Sequence, residues 1–528
     1  MVLYADLLSF MMMNFDLKDF FLTAASAATV LTLVACSGSP EPQTEPVPAA
    51  VQADSVVAPA IEKKAEPAVP ASYKDIQFPE YKYVAPYPKD YRVEIAPGIT
   101  GYIVSDRSLP LVNFSVYFEQ PRAPLALKDE AATSIMGGLL RRGGGGGISA
   151  KALDDSLEFI SAGISSSVGT FTASFDIDCL SKDFPNMLAL SKQVLTAPAF
   201  DKDQFEIMRA NFLTAYDRRY DTPAKVLSAL RSKVNYAPNP RLWDANADDY
   251  KKVKVADLKR LAQGVYANGR IIFALSGDVN KDSAVVMLKE FFESWNAAVA
   301  KNVKKDAKNP FQEPVPLTFL RTPGIYVVDK DITQANISMN QPFVRRPHPD
   351  YYPAAVANFI LGGGSFTSRL MNRVRSDEGL AYSVYSSVGN DYRDTAMVTI
   401  ALQTKVESVE FALKLIREVV NEFAEQGPTE EELAQAKKSL IESLPSLFDS
   451  PESIALVFAK GELLGKSDDH YLEYVNEINA VTADQVKAMV KKYFDMDKMT
   501  TSIVAPVSKL ESIKPFTVIP QDSLEFRD

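Results

Sequence analysis

Val255-Ala-Asp-Leu-Lys-Arg-Leu-Ala-Gln-Gly-Val-Tyr266 leads into the apolar run Arg270-Ile-Ile-Phe-Ala-Leu-Ser-Gly-Asp-Val279. Thr482-Ala-Asp-Gln-Val-Lys-Ala-Met-Val-Lys-Lys-Tyr493 leads into Met499-Thr-Thr-Ser-Ile-Val-Ala-Pro-Val507. Each reads as a capped amphipathic helix followed by a strand. Ala256-Asp257 and Ala483-Asp484 lie 227 positions apart, and so do Tyr266 and Tyr493. A second correspondence runs in parallel. Phe171–Leu180 reads as a strand, with helices following through Leu188–Leu195 and Asp203–Tyr216. Met397–Gln403 reads as a strand, with helices following through Val409–Phe423 and Thr429–Leu444. Pro428, with Thr429 and three glutamates behind it, marks the start of the last helix. Matching order and spacing on this scale imply a tandem duplication. Each half mixes strands with long helices, so the expected class is α+β.

The length of 528 residues agrees with more than one core. Residues 76–296 and 317–528 are the expected halves. The stretch 297–316, rich in Lys, Asn and Pro, is the expected linker. A net charge of −10 argues against a nucleic-acid partner, which would call for a basic patch.

The N-terminus reads as an address. Residues 20–35 are apolar or small, too short to span a bilayer and suited to a signal h-region. They end in Leu33-Val34-Ala35-Cys36, which resembles the lipobox of bacterial lipoproteins. That resemblance implies a signal peptide over 1–35, lipidation of Cys36, and a location at the outer membrane facing the periplasm of a Gram-negative envelope. Residues 36–75 form an expected tether, with seven prolines between positions 40 and 70. Cys179, the other cysteine, sits in a strand pattern and is expected to be a buried structural thiol.

Gly363-Gly-Ser-Phe-Thr-Ser-Arg-Leu370 leads into Val374-Arg-Ser-Asp-Glu-Gly-Leu-Ala-Tyr-Ser-Val-Tyr385. With the duplicated architecture, this motif resembles the pitrilysin/insulinase family of zinc metallopeptidases. More closely it looks like the short, two-domain, processing-peptidase-like bacterial members, over about residues 80–515. The resemblance implies two homologous α/β-sandwich halves (LuxS/processing-peptidase-like) forming half of a clam shell. In that family a helix of the first half carries H-x-x-E-H, and a further glutamate follows downstream. Two histidines four apart on one helix face bind Zn²⁺, and the glutamate between them is the general base for the bound water.

Set against the family, Ser134 takes the place of the first histidine, Gly137 that of the glutamate and Gly138 that of the second histidine. Ala215, within Asn211–Pro223, takes the place of the last ligand. The only histidines in the chain are His348 and His470, so no shift of register restores the motif. Both are expected at the surface. This chain is therefore expected to bind no metal itself. The resemblance also assigns Arg375 and Tyr382, seven apart, as donors reaching a zinc site across the chamber. They would hydrogen-bond the tetrahedral oxyanion and the substrate carbonyl. The implied function is the non-zinc-binding subunit of a heterodimeric peptidase acting on peptides. A homologous partner would supply H-x-x-E-H and zinc. A non-catalytic peptide-binding or scaffold lipoprotein is the alternative. Gly143–Gly147, five glycines in a row, is read as a flexible connector or hinge. Gln334 is read as structural.

Overall fold

In the computed structural model the described residues from 85 onwards form one compact unit. The residues described are Ser72, 83–266, 269–302 and 310–527. The expected signal peptide, Cys36 and nearly all of the tether lie outside the described residues.

The compact unit holds two six-stranded sheets. The first contains β1 (Arg92–Ala96), β2 (Ile99–Ser105), β3 (Leu111–Glu119), β4 (Gly163–Val168), β5 (Thr172–Leu180) and β6 (Arg270–Gly277). The second contains β7 (Gly324–Asp329), β8 (Gln334–Pro342), β9 (Ala381–Val388), β10 (Met397–Lys405), β11 (Thr500–Ala505) and β12 (Thr517–Val518). The principal helices are α1 (Leu127–Arg142), α2 (Phe184–Thr196), α3 (Lys202–Asp217), α4 (Pro223–Asn235), α5 (Val255–Ala262) and α6 (Lys281–Asn302) in the first half. In the second half they are α7 (Tyr351–Asn358), α8 (Val409–Gln426), α9 (Glu430–Glu442), α10 (Pro451–Leu463), α11 (His470–Ala480) and α12 (Ala483–Tyr493).

The strand orders are β1-β2-β6-β3-β5-β4 and β12-β7-β11-β8-β10-β9. Leaving out the outermost β1 and β12, each sheet has its own strands in the order first, fifth, second, fourth, third. The pairing directions match as well. β2–β6 and β7–β11 are parallel, and the other pairs within each five-stranded set are antiparallel. The repeated helix-strand pattern of the sequence is thus a repeated topology, and the fold is mixed α/β.

Alternation along the strands separates two faces of each sheet. On β3, Val112, Phe114, Val116 and Phe118 enter the first core. There Trp295 of α6 stacks on Phe118 and Phe175 at 5.5 and 5.0 Å. On β8, Ala335, Ile337 and Met339 enter the second core with residues of α7, α8 and α12. Cys179 is buried in the first core as expected, and that burial pushes its thiol up to about 12. Within 297–316, α6 continues to Asn302, residues 303–309 lie outside those described, and Phe311 is buried in the first core.

The opposite sheet faces are covered reciprocally. α10, from the second half, packs on β2 and β6 of the first sheet. α4, from the first half, packs on β11, β8 and β7 of the second. Both helices start alike. Thr222 and Ser450 cap them by accepting from the backbone N–H three residues on, and Pro223 and Pro451 open the first turn. Val226, Leu230 and Val234 of α4 pack with Val328, Val504 and Leu524. Phe458 of α10 lies 5.6 Å from the Tyr102 ring. Glu462, at the end of α10, accepts from Arg92 (3.1 Å from Nε and from Nη2), Thr100 Oγ1 (2.8 Å) and Tyr102 OH (2.7 Å). Burial works against its charge, but these donors hold the carboxyl below the usual carboxylate range.

Two further ties cross the halves. Arg241 and Asp394 make a bidentate pair at 3.0 and 2.7 Å. The C-terminal segment returns to the first half, where Glu525 accepts from Tyr216 OH (2.9 Å) and Arg219 Nε (2.8 Å).

The glycine run corrects its sequence reading. Gly143–Gly147 is not a free connector. Gly145 and Ile148 exchange backbone hydrogen bonds at 3.0 and 2.9 Å, Gly146 N–H reaches Ala197 O at 2.9 Å, and Gly143 and Gly144 accept from Asp201 and Ala199. A Cβ on Gly145 would sit 2.4 Å from Val194 O. The glycines allow backbone to approach backbone, which is a packing role.

A candidate site without metal donors

α1 turns Ala131, Ala132, Ile135, Met136, Leu139 and Leu140 inward. Ser134 and Gly138, four apart, fall together on its half-buried flank. That is the geometry two histidines need to share a metal, but here it presents one hydroxyl and no side chain. Ser134 Oγ donates to Glu130 Oε1 at 3.3 Å, within its own helix. Gly137 is buried against the edge strand β4. Its carbonyl accepts from Ser166 Oγ at 2.8 Å, and a Cβ there would stand 3.3 Å from Val168 N. β4 thus comes closer to α1 than a glutamate at this position would comfortably allow. Ala215 is exposed on α3, which packs against α1. The fold therefore brings the two helices together, and the four expected positions hold one serine hydroxyl, two glycines and an alanine methyl. Among the described residues, no group of three or more His, Cys, Asp or Glu is placed to hold a metal ion.

The histidines differ from one another. His348 is partly exposed, and its Nδ1 accepts from Asp350 N at 3.1 Å. His470 corrects its surface expectation. It is 8% exposed, opening α11 beside the rings of Tyr471 and Tyr392 at 5.0 and 6.4 Å. Burial first, then the nearby Lys466 and Arg346 charges, push its imidazole down to about 3.

Arg375 lies in a π-helical stretch, Met371–Asp377, and a second such stretch spans Phe359–Gly363. Single-turn π segments of this kind recur at functional sites. The Arg375 guanidinium is half-buried, 4.9 Å over the exposed Phe366 ring and 3.9 Å from Met371 Sδ. Arg373 takes Glu378 at 2.5 Å and Asp377 at 4.0 Å. Arg369, the arginine of the Ser-Arg-Leu motif, has an anchoring role that the sequence did not reveal. It binds Glu432 on α9 through two 2.7 Å hydrogen bonds and reaches Gly427 O at 3.0 Å. This fixes the segment that leads to Arg375. Tyr382 lies on β9, where Gln403 faces Ser383 and Thr404 faces Ala381. Tyr382 is thus the extra residue of a β-bulge, a feature that commonly re-aims side chains beside sites. The side chain of Tyr382 itself lies outside the described residues. Gln334 opens β8 and is exposed.

The geometry defines a class: a duplicated metallopeptidase-type fold in which the helix expected to carry the metal-binding motif has no histidine. Comparison with known proteins places it further. Residues 252–440 match the family described as Peptidase M16 inactive domain. The chain is 27% identical over 323 residues to the Non-peptidase homolog YmxG of Helicobacter pylori, covering 60% of this chain and 71% of that protein. It is 26% identical over 294 residues to the Uncharacterized zinc protease YmxG of Bacillus subtilis, covering 55% and 68%. Among solved structures, a peptidase M16 inactive domain from Pseudomonas fluorescens superposes with a TM-score of 0.64 at 24% identity, covering 78% of this chain and 95% of that one. The periplasmic protease PqqL from Escherichia coli does so with a TM-score of 0.62 at 16% identity, covering 82% and 49%. The chain is thus similar to the M16 peptidases, with residues 252–440 matching that family's inactive domain, and it carries no H-x-x-E-H motif.

Proposed function

We propose that this M16-like chain is the non-zinc-binding subunit of a heterodimeric peptidase. It would lend Arg375 and Tyr382 to the active site of a homologous partner that carries H-x-x-E-H and zinc. The observation that carries this reading is an asymmetry between the two halves. The metal positions of α1 and α3 hold Ser134, Gly137, Gly138 and Ala215, while the arginine segment of the second half keeps both its motif and its anchor. A guanidinium suits a developing oxyanion, and it serves best where neighbouring groups fix its position in advance. The substrates are peptides or unfolded segments. Lipidated Cys36 would tether the complex to the outer membrane on its periplasmic side. The second reading, a peptide-binding or scaffold lipoprotein, is favoured by the non-peptidase description of the Helicobacter pylori relative.

The test uses the full chain, affinity-tagged and purified in detergent from its native membrane. Cleavage of a quenched unstructured peptide is measured with and without a zinc chelator, for wild type and Arg375→Ala. The proposal expects a co-purifying H-x-x-E-H partner, chelator-sensitive cleavage, and a loss of roughly 10²–10³-fold in kcat for the variant. A stoichiometric partner with no cleavage, or cleavage unmoved by Arg375→Ala, would leave the scaffold reading.

A further inference from the structure

Arg369 reaches the joint between two helices of the second half. Its guanidinium carbon lies 4.3 Å over the ring of Phe423, a buried residue in the last turn of α8. Nη2 donates to the carbonyl of Gly427, the residue that closes α8, at 3.0 Å. Nε and Nη2 donate to the two oxygens of Glu432, in the first turn of α9. The pair is largely shielded from water, with 19% of the Arg369 side chain and 29% of the Glu432 side chain exposed, so it is not an ordinary surface ion pair.

Glu432 has a second task. Its Oε2 accepts from Thr429 N–H at 2.8 Å, while Thr429 Oγ1 accepts from Glu432 N–H at 3.1 Å. This capping box ties the carboxylate to the start of α9. The planar fork of Arg369 on that carboxylate sets direction as well as distance. From Arg369 the chain runs through Leu370 and Val374, both fully buried in the second core, to Arg375. The anchored guanidinium and Arg375 are six positions apart, and two core side chains hold the stretch between them.

We propose that Glu432 is a positioning residue for Arg375, acting through Arg369. The inference rests on the peptidase reading. Glu432 would touch neither substrate nor metal. Its carboxylate fixes Arg369, and the buried stretch then fixes where the Arg375 guanidinium meets the developing oxyanion. Such a donor stabilises charge best when it does not reorganise during the reaction. A misplacement of about 1 Å, caused far from the chemistry, can cost on the order of 10²-fold. The loss falls on kcat, because a donor aimed at the transition state adds little to ground-state binding.

The experiment uses the full chain with its co-purifying partner. It compares wild type with Glu432→Gln, each also in the Arg375→Ala background. Glutamine keeps the α9 cap but offers Arg369 one neutral acceptor in place of two charged ones. The expected result is a fall of roughly tenfold in kcat with KM unchanged. The melting temperature should stay within a few degrees, and no further fall should appear where Arg375 is already alanine. Thr429→Ala is the second variant. It removes the cap hydroxyl and leaves the Arg369 pair, so it should lower the melting temperature and leave kcat near wild type. An unchanged kcat in Glu432→Gln, or the same fractional loss in both backgrounds, overturns the inference while the peptidase reading stands. A loss of kcat in Thr429→Ala as large as that in Glu432→Gln overturns it too. Absence of chelator-sensitive cleavage, or cleavage unmoved by Arg375→Ala, defeats the peptidase reading and this inference with it.

Discussion

A single residue shows how far composition can mislead. Five glycines in a row suggest freedom, yet Gly145 is locked between Ile148 and the carbonyls of Val194 and Ala197. Gly145→Ala should destabilise the protein by about 1–3 kcal/mol through overpacking against backbone. A flexible connector would instead gain slightly from the lost chain entropy. Denaturant midpoints of the two proteins decide between these. Lys466 makes a second residue-level prediction. Its folded-state affinity for a proton lies below the usual value, so protonation opposes folding. That penalty is fully present below about pH 8 and fades as pH rises towards the ordinary 10.5. Lys466→Met should raise stability at pH 7 by about 1–2 kcal/mol and shrink the wild-type gain between pH 8 and 10, both read from unfolding curves across pH. Neither position was legible in sequence. His470 was misplaced for the same reason, since Tyr392, lying far off in sequence, helps bury it. The empty metal positions were legible, because a chain with two histidines 122 apart cannot hide an H-x-x-E-H in any register.

At the scale of elements, the exchanged helices α4 and α10 carry the structure between halves. The sequence contained their signature twice, in Asp221-Thr222-Pro223 and Asp449-Ser450-Pro451, 228 positions apart. A cap and a proline announce a helix start, but an apolar stripe does not say which sheet it will cover. Strand alternation and the helix-strand repeats were therefore readable, and the exchange was not. Glu462 is the polar lock of α10. Glu462→Ala should cost about 2–4 kcal/mol, because Arg92, Thr100 and Tyr102 lose the carboxylate that satisfies them. Glu462→Gln should cost less. Since its carboxyl is held below the usual range, the stabilisation it gives is present above the ordinary carboxylate pKa and is lost as pH falls through the lowered one. Acid unfolding of wild type and Glu462→Gln should therefore converge.

The whole molecule is two repeats that cannot be parted cleanly. Cutting between Asn302 and Pro310 leaves each sheet without the helix that covers its second face. Residues 76–302 alone and 310–528 alone are expected to aggregate or stay partly unfolded, and the two expressed together should co-purify as a complex. Size-exclusion chromatography of each sample reads the outcome, and two monodisperse, cooperatively folding halves would contradict it. The exchange also sets a timetable for synthesis. The sheet that begins near Arg92 receives its cover only when Leu463 has been made. At about 5–20 residues per second, the stretch from Asn302 to Leu463 takes on the order of ten seconds. Through that interval the nascent first half waits with one face bare, so a holding chaperone would have its longest engagement with the part of the protein that is translated early.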